Sequence, residues 1–362
     1  MSKMPFNPLL LPYPDKIDNL YFLDELVCAS EKLSAFNYKI NNTKTDKSML
    51  MTHLFNSESF YSTRIEGTQT TIDEVYEAKE TKKENNEVTE VLRYIAALEF
   101  AGKDIQINPI SSRMIKEIHR ILLGGANARK NTGIQAGEYR TLQNKVGEHI
   151  PPEPNKVDYY MSNLENYINN MEKYQDNLQA LVKAAIIHAQ FETIHPFPDG
   201  NGRVGRVLIP LYLCKEKKID DINFFISSAL EKNKYRYYEF LQETRTNSII
   251  GFSNWIKFFL ESIYSQCLRH IDFLDEIQNL YDNIYKNIIS KTQSNNNIII
   301  LNKIFEKVIF SAKSISEETK IPINTVRNYL NIFAEKKIIT KDDKKRNKMY
   351  YFYSLLQIIR NQ

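Results

Sequence analysis

Apolar positions recur at helical spacing through most of the chain. Ile17, Leu20, Leu23, Leu26, Val27, Leu33 and Phe36 predict a helix over 17–40. A second is predicted over 47–64, ending near Gly67, where a glycine can take the left-handed conformation that closes a helix. Further helices are predicted over 88–101, through Val91, Leu92, Ile95 and Leu98, and over 110–122, stopped by Gly124 and Gly125. Residues 131–155 break the pattern. Glycines, a short β-prone piece and then Pro151, Pro152 and Pro154 predict an irregular segment or hairpin laid over a helical body. Helical spacing resumes over 157–174, 178–191 and 202–213, and Pro210 predicts a kink in the last of these.

From 253 to 290 no proline or glycine interrupts Ile256, Leu260, Ile263, Cys267, Ile271 and Leu274. One long helix, or two nearly collinear ones, is predicted there. The polar stretch 291–297 reads as a linker. Beyond it the pattern gives helices over 298–309, 314–320 and 324–337, then a strand, a basic turn and a strand over 349–353. Three helices with a two-stranded wing is the winged-helix arrangement.

Composition changes this picture little. The chain has 362 residues, more than one average domain, with 42% apolar and 25% charged positions, as in an ordinary globular protein. A net charge of +4 is too small to define a nucleic-acid binder by itself. Cys28, Cys214 and Cys267 lie far apart in apolar helical contexts. Their spacing offers no paired metal motif and their odd number argues against a disulfide framework, and buried thiols in a reducing compartment are expected. The apolar patch at Leu9, Leu10 and Leu11 is proline-broken and too short for a signal core, and no run is long enough to span a bilayer. The expected setting is the cytoplasm, without membrane attachment.

The chemistry concentrates in His195, Pro196, Phe197, Pro198, Asp199, Gly200, Asn201, Gly202, Arg203, Val204, Gly205 and Arg206. Gly200 and Gly202 leave backbone N–H groups free to turn inward at the mouth of a helix, where an anion is stabilised. Asn201 can donate its side-chain amide to the same anion. Arg203 and Arg206, spaced i, i+3, project from one side of that helix and suit a polyphosphate. Asp199 would be repelled by phosphate unless a cation lay between them, which makes it a natural Mg²⁺ ligand. His195 is the nearby group able to take a proton near neutral pH. Singly, these residues read as a packing histidine, a turn and surface charges; their conjunction in one short stretch carries the reading.

The stretch resembles the signature of the Fic family, His-x-Phe-x-(Asp/Glu)-Gly-Asn-Gly-Arg-x-x-Arg, at every specified position, and the likeness extends over roughly residues 50–260. The resemblance implies a Fic helical core with a short β-hairpin flap and an N-terminal helical regulatory region; with the C-terminal winged helix-turn-helix domain read from the tail's pattern, the expected fold is all-α. Expected domains are 1–105, the N-terminal region; 106–262, the catalytic core; 263–297, long helix and linker; and 298–362, the winged helix. It implies transfer of AMP from ATP to a Ser, Thr or Tyr hydroxyl, with ATP as substrate and Mg²⁺ as cofactor. His195 would be the general base and Asp199 the magnesium ligand. Gly200, Asn201 and Gly202 would hold the phosphates, Arg203 and Arg206 would neutralise the β and γ charges, and Phe197 would be a buried anchor. The segment 138–152 is similar to the family's flap, which would hold a target protein in extended form by backbone pairing.

Ser62, Glu66 and Gly67 are similar to the family's inhibitory motif, (Ser/Thr)-x-x-x-Glu-(Gly/Asn), here N-terminal to the core. Glu66 would pair with Arg206 in place of the γ-phosphate and leave ATP an unproductive pose. In the tail, the basic stretch 341–348 and a helix carrying Asn324, Thr325, Arg327 and Asn328 suggest major-groove contacts, although Asp342 and Asp343 dilute the charge. DNA and a protein both stay open as partners of that domain, and so does a homodimer. Alternatives to adenylyl transfer are a nucleotide-sensing DNA-binding regulator, another donor, or removal of AMP.

Overall fold

Helix α1, Leu23–Asn41, begins later than its apolar spacing suggests. The Asp18 carboxylate accepts from Leu20 N–H at 3.1 Å, a local turn that competes with helix formation. A computed structural model of the chain describes residues 4–124, 135–287, 295–344 and 348–362. Helix α2 spans Lys47–Ile65 and closes at Gly67, whose φ of +107° favours a residue without Cβ.

Helix α3, Ile72–Thr81, was not predicted, yet its start is written in a capping box. Thr71 Oγ1 accepts from Glu74 N–H at 3.2 Å while Glu74 Oε2 accepts from Thr71 N–H at 2.9 Å. Helix α4 spans Asn86–Asp104 and α5 Ser112–Leu122, the latter capped by Ser111. Helix α6, Val157–Ile168, stops short of 174 because Asn170 turns into the left-handed region. Helix α7, Ala180–Ile194, is buried on every face, and α8, Asn201–Lys215, continues through Pro210. Two short helices missing from the prediction follow: α9, Ser227–Lys232, and α10, Lys234–Thr244. The long stretch after them is one helix, α11, Ile249–Asn287.

The tail runs α12 Asn296–Lys307, β1 Ile309–Ser311, α13 Ala312–Thr319, α14 Ile323–Glu335, β2 Thr340–Lys341, β3 Met349–Tyr351 and α15 Tyr353–Arg360. Its antiparallel sheet has order β1-β3-β2, with Ile309 opposite Tyr351 and Thr340 also opposite Tyr351. Strand β1 and helix α15 are additions to the predicted pattern. The stop at Gly125, the start of the expected irregular segment, most of the linker and residues 345–347 of the basic turn lie outside the described residues.

The chain forms two compact units that do not follow chain order. One contains Met1–Asn37, Tyr61–Thr68 and Leu92–Cys267; the other contains Tyr38–Phe60, Gln69–Val91 and Leu268–Gln362. The first is built on α7 packed along α8, with Trp255 of α11 donating to Ala185 O at 2.8 Å and stacking on His188. His188 bonds Gly205 O and Tyr237 OH, so it is a core histidine held neutral by burial, its pKa pushed down to about 3. In the second unit Glu80 accepts from Ser311 N–H at 3.0 Å and pairs with Lys307 at 3.1 Å, tying α3 to the sheet-bearing tail. Arg360 reaches Asp73 of the same helix. Of the cysteines only Cys267 is buried; Cys28 is exposed on α1 and Cys214 half-buried, which corrects the expectation for all three. No helix among the described residues is long and apolar enough to cross a membrane.

Candidate active site

Helix α7 ends at His195, which caps it in the left-handed region (φ +48°, ψ +61°) while its N–H still bonds Phe191 O. That turn throws the following loop across the start of α8. Gly200, at φ +76°, is the N-cap of α8 and carries no side chain that could cap the open amides. The anion-favouring helix start expected from sequence is therefore present, between His195 and the two arginines.

Asn201 was expected to donate to the anion. Its side chain is instead engaged within the loop: Oδ1 accepts from Phe197 N–H and Nδ2 donates to Phe197 O, both at 2.8 Å. It is 2% exposed and braces the loop. Phe197 is fully buried, as the anchor role requires, and stacks on His119 with ring centroids 3.8 Å apart.

His119 is the organiser that motif reading missed. Gly137 N–H donates to its Nδ1 at 2.9 Å, so Nε2 carries the proton and donates to Asp199 O at 3.0 Å. One neutral imidazole thus joins α5, the segment at Gly137 and the loop 196–200, and burial pushes its pKa down to about 4. A helical spacing of His119 with Ile115 and Leu122 gave no sign of this, because both partners are backbone groups.

The flap is a minimal hairpin. Val146 and His149 exchange both N–H···O bonds at 2.9 Å around Gly147. His149 Nε2 also bonds Thr193 O at 2.9 Å, and Arg140 donates to His195 O, Pro152 O and Leu142 O. At the flap's start, Lys116 pairs with Glu138 at 3.2 Å. The flap is thereby fixed against the end of α7.

Arg206 is buried, with 1% of its side chain exposed. It donates to Ser62 Oγ at 2.8 Å, to Ser62 O at 2.9 Å and to Glu66 Oε1 at 2.7 Å. Gly202 lies under the Glu66 carboxylate so closely that any Cβ there would overlap Oε1. A carboxylate is thus seated over the first turn of α8, where an anion is favoured. Burial pushes Glu66 up, but the charge and hydrogen bond of Arg206, with Arg203 and His195 nearby, outweigh it and hold the carboxyl below its usual range. Gly67 contributes the turn behind Glu66.

Asp199 faces outward, its side chain 58% exposed, accepting from Gly200 N–H at 2.6 Å and lying 3.5 Å from Arg203. Among the described residues no three His, Cys, Asp or Glu side chains gather as a metal site. One exposed carboxylate at the mouth of an anion nest fits a magnesium ion that arrives on a polyphosphate and keeps its waters. It does not fit a resident metal held by protein alone.

His195 and Glu192 share the buried end of α7, with Nδ1 and Oε2 3.9 Å apart. Burial pushes His195 down to about 3, helped by the charges of Arg245, His149 and Arg140 and opposed by a hydrogen bond to the Glu192 backbone carbonyl. Burial pushes Glu192 up to about 7 against the pull of Arg206.

The sequence profile described as the Fic/DOC family matches residues 109–213, and that of the Fic/DOC family N-terminal region matches residues 23–103. The chain is 28% identical over 205 residues to protein adenylyltransferase Fic of Culex quinquefasciatus and 29% over 204 residues to that of Nematostella vectensis. These matches take in 54% of this chain and 38% and 45% of the two relatives, so the chain spans less than half of their length. Among solved structures, a Fic family protein from Desulfovibrio desulfuricans G20 has the same fold at a TM-score of 0.58, 18% identity and coverage of 97% and 98% of the two chains. Fic-1 from C. elegans matches at 0.54 and 20% identity, over 71% of this chain and 74% of that one.

Proposed function

The chain belongs to the Fic/DOC family, and from that premise we propose that it is a protein adenylyltransferase moving AMP from ATP to a Ser, Thr or Tyr hydroxyl of a target protein or of itself. The observation that carries the reading is the buried His195 beside a helix start already occupied by an anion, the Glu66 carboxylate on Arg206. A triphosphate offers the same charge to the same donors. Its phosphates would lie on the amides opened by Gly200, Asn201 and Gly202, with Arg203 and Arg206 at the outer phosphates. Mg²⁺, held by Asp199 and the phosphates, would supply charge neutralisation for the leaving group.

His195 Nε2 takes the proton of the target hydroxyl as its oxygen attacks the α-phosphorus and the bond to pyrophosphate breaks. A neutral imidazole is needed for this, and burial keeps His195 neutral throughout the physiological range. The flap would hold the target as an added strand, in the cytoplasm, with residues 138–152 giving backbone contacts and the exposed Leu142 a side-chain contact. Glu66 is the brake: while it holds Arg206, ATP finds no productive pose. ATP labelled at the α-phosphate should label protein, and ATP labelled at the γ-phosphate should not. γ-label on protein, or none from α even with the brake removed, would reject adenylyl transfer.

A second reading concerns the tail. Helix α14 buries Val326, Leu330 and Phe333 and exposes Asn324, Arg327 and Asn328, behind α13 and before the β2–β3 pair. This supports a winged helix with a polar recognition face. Duplex DNA binding should weaken steeply with salt, since each neutralised phosphate releases counterions; no binding at low salt would leave a protein or a second copy of the chain as the partner.

A further inference from the structure

The adenylyl-transfer reading makes His195 a base whose cationic product is badly placed. Around its ring stand Arg245, Arg140 and His149, its backbone acceptor is Glu192 O, and its Nδ1 also faces the Glu192 side chain. The Glu192 carboxyl lies 3.9 Å from that nitrogen. Glu192 is 6% exposed, its Oε1 lacks a partner, and Gly205 leaves the space it fills, since a Cβ there would overlap Oε1.

Charged groups and polar rings face Glu192 from several elements. Helix α8 offers Arg206 and the end of α2 offers Glu66. Helix α10 and the turn after it offer Tyr237, Tyr238 and Arg245, whose Nη2 donates to Glu192 O at 3.3 Å. Its own helix brings His188 to the same space and His195 to the other side. This is a strongly built environment for a carboxyl that the signature does not include.

We propose that Glu192 is a positioning residue for the transfer step, its ionised carboxylate steadying the imidazolium that His195 becomes. The inference rests on the adenylyl-transfer reading. The balance is simple. The hydroxyl proton moves to Nε2, the new P–O bond forms, pyrophosphate leaves, and the positive ring is matched by the carboxylate until the proton passes to water. When Glu192 is protonated, that match is missing and the step slows. Activity therefore rises with pH through the titration of Glu192, not of His195.

The same burial makes the ionised carboxyl unfavourable to the fold. With a folded pKa raised from 4.5 to about 7, the group's stabilising neutral form is complete below the unfolded value and is lost as pH rises through the folded one. Glu192→Gln should thus melt level with its parent near pH 4 and above it at pH 8, which also shows that the variant folds.

The test uses the full chain carrying Glu66→Gly, alone and with Glu192→Gln or Glu192→Asp. Transfer rates against pH should show an acid limb in the parent and in Glu192→Asp. Glu192→Gln should have no limb and a kcat reduced about tenfold or more, with KM for ATP unchanged. NMR of the His195 ring gives a readout independent of turnover: its resonances should bend at the pH of that limb without becoming those of an imidazolium, and the bend should vanish in Glu192→Gln. A Glu192→Gln protein with the parental kcat and limb overturns the proposal. If no variant transfers AMP yet the bend is present and lost in Glu192→Gln, the adenylyl-transfer reading fails and the coupling of the two side chains survives; no bend in the parent overturns the coupling itself.

Discussion

Replacing Glu66 by glycine should raise adenylyl transfer by roughly 10- to 100-fold. The contact removed is a hydrogen bond between two charged groups, Arg206 Nη2 to Glu66 Oε1 at 2.7 Å, and bonds of that kind contribute about 1.5–3 kcal/mol. Lost from the braked state alone, that energy converts to the stated factor. The same change should lower stability, because Arg206 keeps only its two bonds to Ser62 while remaining buried. A fully buried pair broken on one side costs about 3–5 kcal/mol. Glu66 is 36% exposed, so about 1–3 kcal/mol is expected here. Labelled-ATP transfer and a thermal melt on the same preparation check both. A folded Glu66→Gly protein no more active than the intact chain would remove the brake from this account.

His195→Ala in the Glu66→Gly background should lose roughly 10²- to 10⁴-fold in rate, the usual contribution of a positioned base. The fold should survive. The residue's structural work is done mainly by its backbone, which accepts from Arg140 and donates to Phe191. Alanine faces left-handed strain at φ +48° as histidine does, so the cost is the packing of the largely buried ring, about 1–3 kcal/mol. Retained activity in His195→Ala would assign the proton to another group.

The helices that carry the site were legible because their apolar faces are long and regular: α2, α4, α5, α7 and α8 all begin and end near their predicted limits. Helices α9 and α10 were not. They are short, α10 exposes Tyr235 and Tyr238, and their packing comes from partners distant in sequence. Helix α3 did carry a local signal in Thr71 and Glu74, which periodicity alone passes over.

At the site, side chains that act on an anion were readable from type and spacing, and Arg206 sits on Glu66 as the inhibitory motif implied. Side chains that act on the backbone were not. Asn201 has the same donors whether it faces a phosphate or Phe197, and only the loop's path decides between them. His119 lies outside the signature and meets it only when α5 has packed beside the start of α8, whereas Glu192 stands one turn before His195 on α7, a local spacing that the motif does not include.

Asn201 ties the loop 196–200 from within and His119 ties it from behind, and neither tie needs a nucleotide. The chemistry therefore waits on no folding event. With Glu66 as the proposed brake, the part that would have to move is the last turn of α2, and motions of that scale belong to microseconds and milliseconds. On the proposed reading, a signal that frees Glu66 would reach the transfer step almost at once and its withdrawal would stop further transfer as quickly, while AMP already joined to a target would stay: the switch has no memory, and the record of its opening is kept by the product.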